Sequence, residues 1–149
     1  MFEIESKKPE EITINTKQTS IIFNVAQFTV DANLPVGRIE GPGEFEIGEM
    51  TIRGIGVKGG KTIYVGQIEE VRIAIIGDVE NGLDELGPVD ILCTSSTKAV
   101  KEVDPKMVVA MGNVDGMVTE LKQTARTEKK LKIKNAAALP MALEVVVLN

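Results

Sequence analysis

The sequence predicts one mixed α/β domain over residues 1–149, rich in strands and with few, short helices. Residues 71–76 form a run that is apolar except for one arginine and that ends at Gly77-Asp78, which is typical of a strand buried on both faces. Before this run, short segments alternate apolar and polar residues, as half-buried strands do. After it, apolar runs alternate with short helical patterns. A chain of 149 residues with 43% hydrophobic and 26% charged residues fits a single globular domain.

The residues before the central run are predicted to form a meander of short strands. The predicted strands are, in order, Phe2–Glu5, Glu11–Asn15, 20–25, 28–30, 44–47, 49–57 and Lys61–Ile68. Lys58-Gly59-Gly60 has the composition of a tight turn between the last two strands, and Gly41-Pro42-Gly43 predicts a rigid corner. Residues 31–37 are expected to form a loop.

The residues after the central run are predicted to alternate strands with helices. The expected elements are a helical turn at 83–86, strands at 89–93 and 107–111, helices at Thr97–Val103 and 115–126, and closing strands at 131–133 and 142–148. Pro105 ends the first helix. Asp115 is a candidate N-cap of the second helix, whose apolar stripe includes Met117 and Ala125.

Composition narrows the possible functions. The formal net charge of −5 argues against a general nucleic-acid binder, which needs a basic face. The apolar runs are too short to cross a bilayer, and the first residues alternate and carry acids, unlike a signal peptide. A cytoplasmic location is therefore expected. The single cysteine, Cys93, rules out an internal disulfide, and the lack of any histidine excludes conventional Ser-His-Asp and Cys-His catalysis.

Asp78 is the first candidate site residue, because ligands of α/β folds bind beyond the carboxyl ends of the strands. It could act as a general base, or it could hold a hard cation such as Mg²⁺ together with Glu80, Asp84 and water. The favoured alternative is that this lone carboxylate only caps the turn after the strand.

Ser95 and Lys98 form the second candidate site. Ser95-Ser96-Thr97-Lys98 matches S-x-x-K, the motif in which penicillin-binding enzymes place a nucleophilic serine at the start of a helix and a lysine one turn later. The simpler interpretation is that Ser95 or Ser96 caps the helix.

Three more residues are candidates for lining a binding cleft at this rim: Asn81, Cys93 and Asn113. Cys93 should end a strand near Asp78, and without a histidine its thiolate would need Lys98 or a helix terminus to lower its pKa. A buried, structural cysteine is the favoured interpretation.

Two other patterns are weaker. Gly54-Ile55-Gly56-Val57-Lys58-Gly59 matches G-x-G-x-x-G, but a strand follows it, and a nucleotide site needs a helix N-terminus there. Residues 122–134 are rich in lysine and could contact phosphate or an acidic partner, although such a run more often is a solvated surface.

From Gly41 onward the chain resembles the metallo-β-lactamase superfamily, in particular its small lactonase-like Zn-dependent hydrolases. The segments that carry this resemblance are Gly41-Pro42-Gly43-Glu44-Phe45-Glu46-Ile47-Gly48, Ile52-Arg53-Gly54-Ile55, Thr62-Ile63-Tyr64, Gly77-Asp78, Val89-Asp90-Ile91-Leu92, Val103-Asp104-Pro105-Lys106-Met107-Val108-Val109-Ala110-Met111 and Glu144-Val145-Val146-Val147-Leu148. The resemblance implies an αββα sandwich of two mixed sheets, here in a reduced form.

The metal ligands of that family are missing. Its His-x-His-x-Asp-His signature lies upstream of the glycine-rich segment, where this chain has only the short stretch 31–38. Asp78 falls on the family's bridging aspartate, Asn81 stands where a histidine often follows, and Met111-Gly112 replaces Met-His. A hydrolytic zinc site needs about three protein ligands. The resemblance therefore implies the fold and argues against the activity, and no metal or other cofactor is expected.

The leading hypothesis is a non-catalytic, metal-free derivative of this fold that works by binding or self-assembly. With few helices, one sheet face could stay uncovered, and an apolar face of that kind would be buried most simply by another copy of the chain, so a homo-oligomer is expected. The alternative is a residual hydrolase that uses Asp78 with a weakly held metal or with Ser95 and Lys98. A lesser alternative is a sensor that keeps the old substrate cleft. The small-molecule ligand is not indicated.

Overall fold

The computed structural model describes residues 1–32 and 38–149. Within them the strands are β1 Phe2–Glu5, β2 Glu11–Asn15, β3 Ser20–Asn24, β4 Thr29–Ala32, β5 Arg38–Glu40, β6 Gly43–Ile47, β7 Met50–Val57, β8 Lys61–Ile68, β9 Val71–Gly77, β10 Ile91–Thr94, β11 Met107–Ala110, β12 Ala125–Glu128, β13 Lys130–Ile133 and β14 Glu144–Leu148. The helices are α1 Thr97–Val103, α2 Val114–Leu121 and two single 3₁₀ turns, Leu83–Glu85 and Ala136–Ala138. No helix in the described residues has the length and apolar character needed to cross a membrane.

The strands form two stacked sheets. The smaller sheet is antiparallel, in the order β13-β1-β2-β3-β4-β5. The larger has the order β12-β14-β11-β10-β9-β8-β7-β6 and is mixed. Its β6 to β9 strands are antiparallel, and β9, β10, β11, β14 and β12 are parallel. The predicted mixed α/β class is confirmed, but only the larger of the two sheets is mixed.

The main core lies between the sheets and is almost entirely aliphatic. Alternate residues of each strand point inward, as in Phe2 and Ile4 of β1 and Ile73 and Ile75 of β9, which are at most 2% exposed. Inward-facing runs of this kind arise because successive side chains of a strand point to opposite faces. The ring of Phe23 packs at a tilt against Tyr64 of the other sheet, with 6.0 Å between ring centres.

A second apolar cluster lies between the larger sheet and the helices. Val100 of α1 and Met117 of α2 contact the sheet's outer face, together with the 3₁₀ turn residue Leu83. Burial on both faces explains why β9 to β11 read as continuous apolar runs in the sequence. Helices therefore cover only one outer side of the described sandwich, rather than both sides as an αββα arrangement implies.

The uncovered outer face of the smaller sheet is polar, so the expectation of an exposed apolar face is wrong. The register places one row across it, Lys130, Glu5, Thr13, Ile22, Asp31 and Arg38. Lys130 pairs with Glu5 at 3.6 Å and Arg38 with Asp31 at 3.4 Å. In the described residues the exposed large apolar side chains are only Met1 and Met141. This face therefore gives no hydrophobic reason for self-association.

The predicted second helix was too long. It begins after Asn113 instead of Asp115 and ends at Leu121, because Lys122 adopts a left-handed backbone with φ 55°. Ala125, expected on the helix, instead opens the edge strand β12, which pairs in parallel with β14. The predicted loop also differs, since Asp31 and Ala32 belong to β4 and residues 33–37 lie outside the described part of the chain.

Candidate functional site

The candidate site lies at the edge of the sandwich where the parallel strands β9, β10 and β11 end. Two turns of the smaller sheet, at residues 6–10 and 25–28, reach this same edge. The hydroxyl of Tyr64 donates a 2.7 Å hydrogen bond to the carbonyl of Phe28. A Cβ on Gly77, the last residue of β9, would come within 2.9 Å of the Cβ of Val25. The two sheets are therefore in close contact here.

Asp78 follows Gly77 directly, as the sequence predicted, and its side chain is exposed. Gly77 has φ +61°, which lets the chain turn sharply out of β9, and the N–H of Val79 then donates to the carbonyl of Ile76 at 3.2 Å. Among the described residues the Asp78 carboxylate has no hydrogen-bond or ion-pair partner. In the described chain it therefore does not cap the turn that follows β9, which was the favoured interpretation of this carboxylate.

The hydroxyl that caps α1 belongs to Ser96. Its Oγ accepts the N–H of Ala99 at 3.1 Å, and the same hydroxyl contacts the Glu80 carboxylate. Ser95 is half-buried, and its carbonyl accepts the side-chain amide of Asn113 at 3.2 Å. Lys98 is exposed on the first turn of α1. No hydrogen bond in the described chain joins Lys98 to Ser95.

The other cleft candidates lie apart from one another. Cys93 is 0% exposed within the core between the sheets, so it does not line a cleft, and burial raises the pKa of its thiol from 9.0 to about 12. Asn81 accepts the backbone N–H of Lys58 at 3.2 Å and so joins the loop after β9 to the β7–β8 hairpin. Asn113 is exposed at the start of α2.

The donor atoms at this edge do not fit a catalytic zinc ion. Such an ion needs about three protein ligands, most often with histidine nitrogens among them, and the chain has no histidine. Across residues 1–32 and 38–149, no three Cys, Asp or Glu side chains come close enough together to hold a metal ion. Asp78, Glu80 and Asp84 therefore do not form the hard-cation group considered from the sequence.

A cavity of about 510 Å³ opens beside these residues, at the ends of β11 and β14. Its apolar lining consists of Pro9, Ile12, Val109, Ala110, Met111, Val114, Val147 and Leu148. Its polar rim comes from the β1–β2 turn, where the Ser6 hydroxyl lies 2.8 Å from the carbonyl of Lys8 and 2.9 Å from that of Glu11. Lys7 and Lys8 line the cavity, and no described acidic side chain does.

Comparison with solved structures identifies the fold. No family model and no curated protein matches the chain. A crystal structure from Thermotoga maritima, assigned to the Zn-dependent hydrolases of the metallo-β-lactamase superfamily, matches with a TM-score of 0.72 and 15% sequence identity over 100% of both chains. The chain has the metallo-β-lactamase fold. At this identity the likeness concerns the fold and not the activity.

Within the metallo-β-lactamase fold of this chain, none of the candidate residues named from the sequence lines the cavity at the carboxyl edge. Asp78, Ser95 and Asn113 all lie at the carboxyl edge. The Lys7-Lys8-Pro9 segment reads locally as an ordinary turn, and its position over β11 depends on how the smaller sheet stacks. The Met111-Gly112 pair, which stands where the family has Met-His, does line the cavity. That replacement was the one signal in the sequence that pointed to it.

Proposed function

We propose that this chain is a metal-independent binding protein that holds a small ligand in the cavity at the carboxyl edge of its sheets. The observation that carries the proposal is the lining of that cavity, an apolar floor beneath two lysines and no described acid. Small-molecule sites commonly have about 300–1,000 Å³, mostly apolar walls and a few polar groups. The cavity of about 510 Å³ is of this kind.

The chemistry of the rim selects an anion with an aliphatic part. Lys8 is exposed and has no ion pair in the described chain, so its ammonium is free to meet a ligand. Lys7 already pairs with Glu5 at 3.4 Å and is 74% exposed, so its contribution is smaller. The apolar floor then takes the hydrocarbon, which stabilises the complex by burial. We assign an aliphatic carboxylate as the ligand class.

The chemistry available to the chain favours binding over hydrolysis. A hydrolase of this fold needs either a metal-bound water or an activated nucleophile. No three Cys, Asp or Glu side chains of the described chain come together to bind a metal ion, and the hydroxyl of Ser96 is engaged in capping α1. Asp78 and Lys98 are exposed and make no hydrogen bond to a serine hydroxyl. The residual hydrolase remains the alternative that any metal-dependent or Asp78-dependent activity would support.

The binding proposal is tested by titrating the ¹⁵N-labelled protein with hexanoate, hexanol and hexylamine, which share one hydrocarbon chain. Hexanoate should shift the amide signals of Met111, Gly112 and Val147, hexanol should bind more weakly, and hexylamine should not bind. The Lys8→Gln variant should weaken hexanoate binding by a factor of about 1.4 to 5, because an exposed charge contact contributes about 0.2–1 kcal/mol. Equal binding of all three probes, or none, would refute the proposal.

The matched control is Lys17→Gln, which removes the same charge from the turn at the opposite edge of the smaller sheet. It should leave hexanoate binding unchanged. Elemental analysis of the purified protein tests the metal-independent part, since zinc near one atom per chain would contradict it. Light scattering on a sizing column tests whether the chain forms the homo-oligomer expected from the sequence. That expectation assumed an uncovered apolar face, and the outer face of the smaller sheet is polar.

A further inference from the structure

A second cavity of about 540 Å³ lies on the outer face of the larger sheet, over strands β6 to β9. At this end of the larger sheet the outer face carries polar side chains. Farther along the sheet, the same face carries apolar side chains that the helices cover. The polar lining consists of Glu44, Glu46, Thr51, Arg53, Gln67 and Arg72. Arg72 is near the amino end of β9, so this cavity is away from the carboxyl edge described above.

The backbone after β9 holds both arginine side chains. Arg72 donates from Nε to the carbonyl of Pro88 at 2.6 Å and from Nη2 to that of Leu86 at 2.7 Å. Arg53 Nη2 donates to the carbonyl of Glu85. Arg53 and Arg72 lie on β7 and β9, which are separated by β8. Because they donate to the carbonyls of consecutive residues, Glu85 and Leu86, their guanidinium groups lie near each other.

Neither guanidinium is neutralised by an acid. No described carboxylate oxygen lies within 4.0 Å of either guanidinium, and the nearby Asp90 carboxylate accepts the backbone N–H of Arg72 at 2.9 Å instead. Glu44 is the direct cross-strand neighbour of Arg53, yet Arg53 reaches away from it to the Glu85 carbonyl. Two like charges in one concave surface repel each other unless an anion lies between them.

Donor groups remain for such an anion. A guanidinium carries five N–H donors. Arg53 uses one of them, and Arg72 uses three when its 3.5 Å contact with the side chain of Gln67 is included. Paired guanidinium groups that are held in place bind planar carboxylates through two parallel hydrogen bonds, with little further loss of side-chain freedom.

The opposite wall is acidic. Glu44 and Glu46 project from β6 on the same face, and neither has an ion pair among the described residues. A ligand with several negative charges, such as a nucleotide, would be repelled by this wall. A ligand with a carboxylate at one end and an ammonium at the other satisfies both walls.

We propose that this cavity is a second binding site, independent of the first, for a small zwitterion such as a short peptide or an amino acid. Its carboxylate lies between Arg53 and Arg72, and its ammonium lies against Glu44 and Glu46. The cavity volume suits a ligand of that size.

The test is an NMR titration with alanyl-alanine, its N-acetylated form and its C-terminal amide. Free alanyl-alanine should bind best and shift the amide signals of Val65 and Gly66, which line the cavity. The amide should lose most of the affinity because it lacks the carboxylate. The acetylated form should bind with intermediate affinity because it lacks only the ammonium.

Single substitutions test which charge of the peptide each wall of the cavity binds. Arg53→Gln should weaken alanyl-alanine binding roughly ten-fold, and Arg53→Lys should restore part of it. Glu46→Gln should weaken alanyl-alanine but leave the acetylated form unchanged. Lys58→Gln, at the exposed β7–β8 turn, removes one charge away from the cavity and should change nothing.

Three results would overturn the proposal. The first is equal affinity for the three peptide forms. The second is binding of inorganic phosphate as tightly as alanyl-alanine, which would indicate a simple anion site. The third is peptide-induced shifts confined to Met111 and Gly112, which would place the peptide in the other cavity. None of these depends on the hexanoate result.

Discussion

Replacing Gly77 with alanine should destabilise the protein more than the same replacement at Gly59. Both glycines have positive φ, +61° and +85°. They differ in surroundings, since a Cβ on Gly59 meets nothing within 4 Å, whereas one on Gly77 would lie 2.9 Å from the Cβ of Val25 in the smaller sheet. Comparing the two variants therefore separates the free-energy cost of a strained backbone from the cost of overpacking the contact between the sheets.

The expected magnitudes follow from these two terms. A left-handed backbone costs a residue with a Cβ about 1–2 kcal/mol, and the lower entropy of the unfolded alanine chain offsets about 0.4–1 kcal/mol of that. Gly59→Ala should therefore lose about 1 kcal/mol. Gly77→Ala also forces an overpacked contact, which costs about 1–3 kcal/mol more. Its total of about 2–4 kcal/mol is a large part of a typical stability of about 5–15 kcal/mol.

Urea unfolding followed by far-ultraviolet circular dichroism measures both losses, because the chain has no tryptophan for fluorescence. With a slope of about 2 kcal/mol per molar urea, the midpoints of the two variants should differ by about 0.5–1.5 M. Val25→Gly removes the Cβ that the new methyl group would meet, so it should cost less stability in the Gly77→Ala background than in the wild type. Equal midpoints for the two glycine variants, or no coupling with Val25, would refute the close contact.

Three further outcomes are expected. Ser96→Ala should lower the free energy of unfolding by about 0.5–2 kcal/mol through loss of the α1 cap. Ser95→Ala, the control, should change it by less than about 0.5 kcal/mol. Similar losses for the two variants would contradict the assignment of Ser96 as the cap. Tyr64→Phe should cost about 1–3 kcal/mol because the Phe28 carbonyl loses its donor, and a neutral result in urea unfolding would argue against that bond. Burial raises the pKa of Cys93 from 9.0 to about 12, so the unfolded chain releases this proton first as pH rises. Stability should therefore not depend on this thiol below about pH 9 and should fall between about pH 9 and 12. Cys93→Ala should remove that part of the fall, and an unchanged pH profile would count against the burial.

Local signals predicted the elements that local chemistry controls. The helix Thr97–Val103 has the predicted bounds because a serine caps its start and the left-handed Asp104, just before a proline, follows its end. The strand Lys61–Ile68 also has its predicted bounds, since glycines define the turn before it. These features act over a few residues, so the sequence carries them directly.

Elements that depend on distant partners were not predicted. Ala125 continues the helical apolar spacing of Met117 and Leu121, yet residues 125–128 form an edge strand because β14 offers a parallel partner. The strand Arg38–Glu40 has only three residues, too few for an alternating pattern, and it exists through its pairing with β4. The polar outer face of the smaller sheet was hidden for the same reason, because alternation does not reveal which face another layer covers.

The sequence by itself determined the strand-rich class, the position of Asp78 beyond the central strand and, through the absence of histidine, that no imidazole of this chain can bind a metal ion. Only the tertiary structure placed Lys8 over the end of β11 and brought Arg53 and Arg72 to consecutive carbonyls. Composition and short-range pattern are properties of the chain alone. A binding cavity is made by residues far apart in sequence, and their positions depend on the register and stacking of whole sheets.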